Sequence, residues 1–220
     1  RLFLQMKFSA FIPIKLNSER VPNKNFYEIG GKPLFYYILS TLHSVELVDE
    51  IVIDIDHIEI KEKVNMYFHD IKFNLREDNL SSPTESVNKI IDSNINNFKN
   101  EYIIQTHVTN PLLTSSSINQ AAEQFIKNKK PLFSVNMFQS RFYNTSTKPI
   151  NHDVDILLPT QELEPIYEEN SNFYIFSKKQ FKNNNNKRIG ENSAYYETSK
   201  FESFDIDNFD DLNLVEKLIT

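Results

Sequence analysis

The sequence predicts an α/β protein with a mostly parallel sheet and helices on both faces, in three layers. Three observations carry this. Short apolar runs of strand length alternate with longer segments of helical periodicity between residues 8 and 138. Runs such as FSAFIPI (8–14) are nearly continuous in apolar character, as strands buried on both faces must be. Repeated strand–helix alternation then calls for crossovers between parallel strands.

The run at 8–14 is the first strand. Residues 34–45 carry apolar positions at helical spacing, with Pro33 at a favourable helix start. EIVIDI (50–55) is a strand, 57–68 a helix and IKFNL (71–75) a strand. Val87, Ile90, Ile91, Ile95 and Phe98 mark one face of a helix over 85–98. EYIIQ (101–105) is a strand, 115–126 a helix behind a Ser-rich cap, and LFSVNMF (132–138) a strand. Residues 139–170 are polar and rich in turn formers, and read as an excursion from the sheet. SNFYIF (171–176) resumes as a strand, FESFDI (201–206) forms another, and 209–219 closes with a helix. No repeat or linker divides the chain, so residues 1–220 are expected to be a single domain. The opening Arg-Leu-Phe-Leu-Gln stands before Met6, and an added or upstream segment is one reading of residues 1–5, which stays open.

Composition narrows the function. A net charge of −6 argues against a nucleic-acid binder, which would show a basic face, but leaves room for a local basic pocket. With no cysteine, disulfide and thiolate chemistry are excluded, and a cytoplasmic location is expected. No apolar run approaches the roughly 18 residues of a membrane span, and the first residues do not read as a signal peptide. No membrane partner is expected.

Against that acidic background, IPIKLNSERVPNKN (12–25) gathers Lys15, Arg20 and Lys24 directly after the first strand. Ligands of open α/β sheets bind beyond the carboxyl ends of the strands. A loop there that offers backbone N–H groups and several cations suits phosphates. A solvated basic loop is the alternative on composition alone. The stretch is no Walker A loop, because Gly-x4-Gly-Lys-Ser/Thr is absent.

FDIDNFDD (204–211) supplies carboxylates. Residues two apart in an extended strand face the same side about 7 Å apart. Asp205 and Asp207 can therefore aim at one point, with Ile206 turned into the core. Such hard oxygen ligands suit Mg²⁺, which binds one or two carboxylates plus substrate phosphates. N-capping of the last helix is the competing role. Asp210 and Asp211 read as first-turn residues favoured by the helix dipole.

IPIKLNSERVPNKN followed by GGKPL resembles the N-terminal motif of the acylneuraminate cytidylyltransferases, the CMP-sialic acid synthetases and their relatives. Ser18, Pro22, Lys24, Asn25, Gly30, Gly31, Lys32 and Pro33 match its pattern. The likeness continues in order through VIDIDHIEI, REDNLSSPTES, THVTNPLL, YEENSNFYIF and RIG to FDIDNFDDLNLVE. The resemblance implies a nucleotidyltransferase fold and transfer of CMP from CTP to a sugar acid, with release of pyrophosphate. It implies that Lys24 contacts the triphosphate, with Lys15, Ser18, Arg20 and Asn25 beside it, and that Arg76, Ser82 and Thr84 contact base, ribose or phosphates. It places Mg²⁺ (or Mn²⁺) on Asp205 and Asp207, so that Lys24, Asp205 and Asp207 carry the chemistry. Asp56, where the family has Thr-Asp, either serves the nucleotide site or caps the next helix. The excursion 139–170 would reach a second subunit, which implies a homodimer.

Departures fall on the acceptor side. Lys15 replaces an arginine, which keeps charge but loses the bidentate fork. Positions where sialic acid enzymes place arginines around their substrate carboxylate hold Thr160 and Glu168. Charged hydrogen bonds are worth roughly 1.5–3 kcal/mol each, so a carboxylate site should weaken by several kcal/mol unless something replaces them. A small acidic acceptor other than N-acetylneuraminate is therefore expected: another nonulosonic or ulosonic acid, an amino-sugar or a small phosphonate. Gln105, His107, Thr109, Gln161 and Glu168 are the acceptor-side candidates, and Arg141, Lys148 and Arg188 could restore positive charge. A same-fold enzyme for another nucleoside triphosphate and a non-catalytic nucleotide-binding relative stay open.

Overall fold

The near-continuous apolar run of Phe8–Ile14 forms β1, the third strand in from one edge of a seven-stranded sheet. The structure, a computed structural model, describes residues 6–82 and 84–219; the segment 1–5 lies outside the described residues. After β1 comes a two-residue hairpin, β2 (Glu28–Ile29) and β3 (Lys32–Pro33). Its turn needs two left-handed residues in succession, and Gly30 (φ 55°) and Gly31 (φ 77°) supply them without a Cβ penalty.

The chain then alternates through α1 (Leu34–His43), β4 (Val48–Ile55), α2 (Glu59–Asn65), β5 (Lys72–Leu75), α3 (Val87–Asn94), β6 (Tyr102–Thr106), α4 (Ser115–Asn128) and β7 (Leu132–Phe138). Ser86 and Thr114 cap α3 and α4 with their hydroxyls, accepting from Asn88 N and Ser117 N. After the excursion come β8 (Ile166–Ser177), α5 (Lys178–Asn183), β9 (Ala194–Glu197) and α6 (Phe209–Ile219). Strand order is β5-β4-β1-β6-β8-β7-β9, and β8 alone runs against the rest.

Successive residues of each strand serve opposite faces. Ile12, Ile53, Ile104 and Ile175 pack with α1, α2, α4 and α6 through Leu34, Ile60, Phe125 and Leu212. Phe11, Val52, Ile103 and Phe176 pack on the other face with Ile90, Ile91 and Phe181 of α3 and α5. Each such buried side chain contributes about 1.5–3 kcal/mol. The three-layer α/β/α architecture expected from the sequence is the one observed.

Two local expectations are corrected, and two short elements, β9 and α5, lie where the sequence suggested none. Residues 201–206 form no strand: Glu202 accepts from Ser199 N (3.2 Å) and Ser199 Oγ (3.0 Å), which bends 199–203 into a turn. The sheet edge is instead taken by β9, too short to show a clear period. Strand β8 starts at Ile166, so 166–170 belong to the sheet and not to the excursion. Helix α5 also went unread, although Ser177 and Gln180 make a capping box, a signal present in the sequence.

The rest of the excursion is tied to itself. Asn151 donates to Ser140 O and Glu164 O (both 2.8 Å), and Gln139 donates to Gln161 O and Leu163 O. Its apolar side chains Ile150, Val154, Ile156 and Leu157 face outward, Leu157 at 87% exposure. Among the described residues no helix is long and apolar enough to cross a membrane.

Candidate active site

The loop leaving β1 is fixed at both ends by side chains. Asp56, just past β4, accepts from Leu16 N at 2.8 Å, and Asn25 donates to Lys15 O at 2.8 Å. Asp56 is thus a tether of this loop and not the cap of α2, which shows no side-chain cap. Lys15 Nζ donates to Ser82 O (3.2 Å), and the Ser82 and Thr84 hydroxyls lie 3.1 Å apart. The loop encloses a cleft of ≈ 460 Å³ lined by Lys15, Ser18, Arg20, Lys24 and Asp56, among others.

Lys24 is the buried member of that set, 9% exposed. Asn23 takes a left-handed conformation (φ 55°) and starts a short 3₁₀ turn, Lys24–Phe26, that turns the lysine inward. Its Nζ donates to Ile206 O at 2.7 Å and stands 3.8 Å from Asp207 Oδ1. Burial lowers its pKa, and Asp205 and Asp207 oppose that shift.

The 204–207 segment keeps its alternation without a sheet ladder. Ile206 is fully buried and donates its N–H to Thr109 O (2.9 Å). Asp205 and Asp207 flank it on the outer side. Surrounding protein pushes the Asp205 carboxyl up and Thr109 opposes this; because Asp205 is exposed, water screens much of the push. Asp207 Oδ1 pairs with Arg20 Nη2 at 2.7 Å.

Neither aspartate caps α6. Asn208 Oδ1 accepts from Asp210 N (2.8 Å) and Asp211 N (3.1 Å), and Asp211 Oδ2 accepts in return from Asp207 N and Asn208 N. That reciprocal arrangement leaves the Asp205 and Asp207 carboxylates out of the helix cap. The Asn-x-x-Asp spacing was its signal in the sequence.

A second cluster lies at the end of β6. Gln105 Nε2 donates to Thr106 O (2.9 Å) and to His107 Nε2 (3.1 Å), while its Oε1 accepts from Arg188 Nη1. The Arg188 guanidinium stacks on Tyr174, 3.8 Å from the ring centroid. Burial, then the positive charges of Arg188 and Lys24, lower the His107 pKa to about 4; the ring keeps partial exposure.

Not every candidate joins these groups. Arg76 is fully buried and pairs with Asp54, itself held by Asn94 Nδ2 at 3.0 Å. It lines a separate cavity of ≈ 240 Å³ beside β5 and not the cleft of the first loop. Thr109 serves the 204–207 segment. Glu168 accepts from Asn136 (3.0 Å) on the overhang of β8, and Gln161 stays in the excursion. Arg141 donates to Leu158 O and Lys148 O accepts from Asn144 N, so both remain there too.

Residues 9–218 match the family model described as cytidylyltransferase. The chain belongs to the cytidylyltransferase family. It is 33% identical over 140 residues to the pseudaminic acid cytidylyltransferase of Campylobacter jejuni, covering 61% of this chain and 60% of that protein. The match therefore spans less than two thirds of that relative. It is 26% identical over 235 aligned positions to the CMP-N,N'-diacetyllegionaminic acid synthase of Legionella pneumophila, with 97% of each covered. A solved 4-diphosphocytidyl-2C-methyl-D-erythritol synthase shares the fold at TM-score 0.72 and 13% identity, covering 98% of this chain and 99% of that one. CMP:2-keto-3-deoxy-manno-octonic acid synthetase, solved with CTP, does so at 0.69 and 12%, covering 97% and 98%. The family implied by the ordered motifs is the family matched. Within this cytidylyltransferase chain, Tyr174 is the site-side residue that sequence reasoning missed: it reads as a core aromatic and only the fold stacks Arg188 on it.

Proposed function

We propose that this protein transfers CMP from CTP to a sugar acid of the nonulosonic or ulosonic type and releases pyrophosphate. The observation that carries the reading is Lys24: a buried ammonium held between the phosphate-type loop and the Asp205–Asp207 segment. Lys15, Ser18, Arg20 and Lys24 would hold the triphosphate, with Asn25 and Asp56 keeping their loop in shape. Positioning and charge neutralisation supply most of the catalysis in phosphoryl and nucleotidyl transfer. The acceptor oxygen bonds to the α-phosphorus, its proton is released, and the bond to the β-phosphate oxygen breaks.

The carboxylates fit a divalent cation of the Mg²⁺ or Mn²⁺ type. Both are free of the helix cap, and Asp205 is open to solvent. Among the described residues no group of three or more His, Asp or Glu could hold a metal, so substrate phosphates would complete its shell. When bound, such an ion offsets charge at the α-phosphate.

The acceptor class is supported by two relatives whose names specify pseudaminic and N,N'-diacetyllegionaminic acid, and by Thr160 and Glu168 standing where sialic acid enzymes carry arginine. Ser82 and Thr84 sit beside Lys15 and would reach the nucleotide. We infer too that two copies pair through the excursion, whose outward apolar residues would otherwise stay in water.

Pyrophosphate release with CTP and Mg²⁺ over pseudaminate, legionaminate, Kdo, N-acetylneuraminate and simple phosphonates tests this reading. A signal with CTP and one sugar acid is expected. A signal only with a phosphonate, or only with another nucleoside triphosphate, would replace it. Silence from folded protein that still binds CTP would favour a non-catalytic relative.

A further inference from the structure

Arg188 is a cation without a salt bridge among the described residues. Protein surrounds it enough that burial lowers its pKa. Yet among the described residues it forms no ion pair with any carboxylate. The carboxylate whose charge acts on it, Glu169, accepts from the Tyr174 hydroxyl. Removing a guanidinium from water without a direct ion pair is costly, and its planar fork matches a carboxylate bidentately.

The surroundings hold that guanidinium in place for such a partner. Tyr174 gives it a flat platform, and Gln105 Oε1 takes only one of its five N–H donors. That contact also fixes the Gln105 amide, whose Nε2 then donates to His107 Nε2. His107 is therefore neutral with its proton on Nδ1, adding a donor and no competing charge. The charges of both Arg188 and Lys24 act on His107. Thr160, in the excursion, and Glu168, on β8, supply no cation that could anchor a carboxylate.

From this geometry we infer that Arg188, stacked on Tyr174 and set by Gln105, is the carboxylate anchor of the acceptor site and selects acidic acceptors. The inference rests on the CMP-transfer reading but can fail separately. An acceptor carboxylate would take the free edge of the guanidinium, with the attacking oxygen directed toward Lys24 and the α-phosphate.

The test reads acceptor binding apart from turnover. Pseudaminate, legionaminate, Kdo and N-acetylneuraminate are titrated against CTP-loaded wild type, Arg188→Lys and Arg188→Gln, by saturation-transfer NMR. Affinity for CTP and the midpoint of thermal unfolding are followed in parallel. Loss of one charged hydrogen-bonding partner should weaken the acid that wild type binds by about tenfold or more in Arg188→Gln. Arg188→Lys should fall between, because it keeps charge and loses the fork. CTP affinity should hold in both. Unchanged acid binding in folded Arg188→Gln overturns the inference, as does wild type that binds none of the four acids. Acid binding that depends on Arg188 without any pyrophosphate release would keep the anchor and sink the transferase reading.

Discussion

Arg20 Nη2 lies 2.7 Å from Asp207 Oδ1, and Lys24 Nζ stands 3.8 Å from the same oxygen. One carboxylate thus joins Arg20 and Lys24 of the first loop to the segment that leads into the last helix, across almost the full length of the chain. The Arg20 side chain is 67% exposed, so its half of the arrangement is worth about 0–1 kcal/mol and exchanges readily. Phosphate oxygens could take over Arg20 and Lys24, which would release Asp207.

Asp207→Ala is expected to abolish CMP transfer while the protein stays folded. The cap of α6 belongs to Asn208 and Asp211, so its loss should leave thermal stability nearly unchanged. Full turnover in the variant at saturating Mg²⁺ would remove the role assigned to this carboxylate. The reverse pattern is expected of Asn208→Ala, which should lose about 1 kcal/mol of stability through the missing cap.

Asp54→Ala is expected to be strongly destabilising. It would leave Arg76, with no exposed side-chain surface, uncompensated in the interior. Breaking a buried pair this way costs about 3–5 kcal/mol. Urea unfolding gives the number, and the double variant Asp54→Ala/Arg76→Leu should recover much of it. A loss near that of a surface substitution would show that water reaches the pair.

Leu157→Asp tests the outward apolar face of the excursion. If two copies meet there, light scattering on the wild type should report a dimer and on the variant a monomer, without loss of fold. A monomeric wild type at working concentration would end the dimer reading.

Much of the sheet was legible in the sequence because its strands are apolar on both faces, and FSAFIPI or EIVIDI can hardly be anything else. The turn at 199–203 was not, since FESFDI has the alternation of a strand and only the Glu202–Ser199 bonds bend it. Lys24 and the aspartates were legible through motif order. The placement of Arg76 was not: a motif gives a position along the chain, whereas pairing with Asp54 depends on β4 lying beside β5. Arg188 appeared in the sequence as one of three spare cations, and the fold alone singles it out by bringing Gln105 and Tyr174 together as partners across β6 and β8.

His107 makes a pH prediction. Its folded-state pKa of about 4 lies below the ordinary value of 6.5, so the folded protein favours the neutral ring. Between those values the unfolded chain binds a proton that the native state refuses, and stability must fall as pH drops from about 6.5 toward 4. The full shift would correspond to roughly 3 kcal/mol, less whatever the ring's partial exposure screens. His107→Asn should lose this part of the acid sensitivity. The measurement is the difference in unfolding midpoint between pH 7 and pH 5, wild type against variant. Equal differences would mean that His107 protonates freely in the folded state, so that neither its burial nor the charges of Arg188 and Lys24 hold the ring neutral.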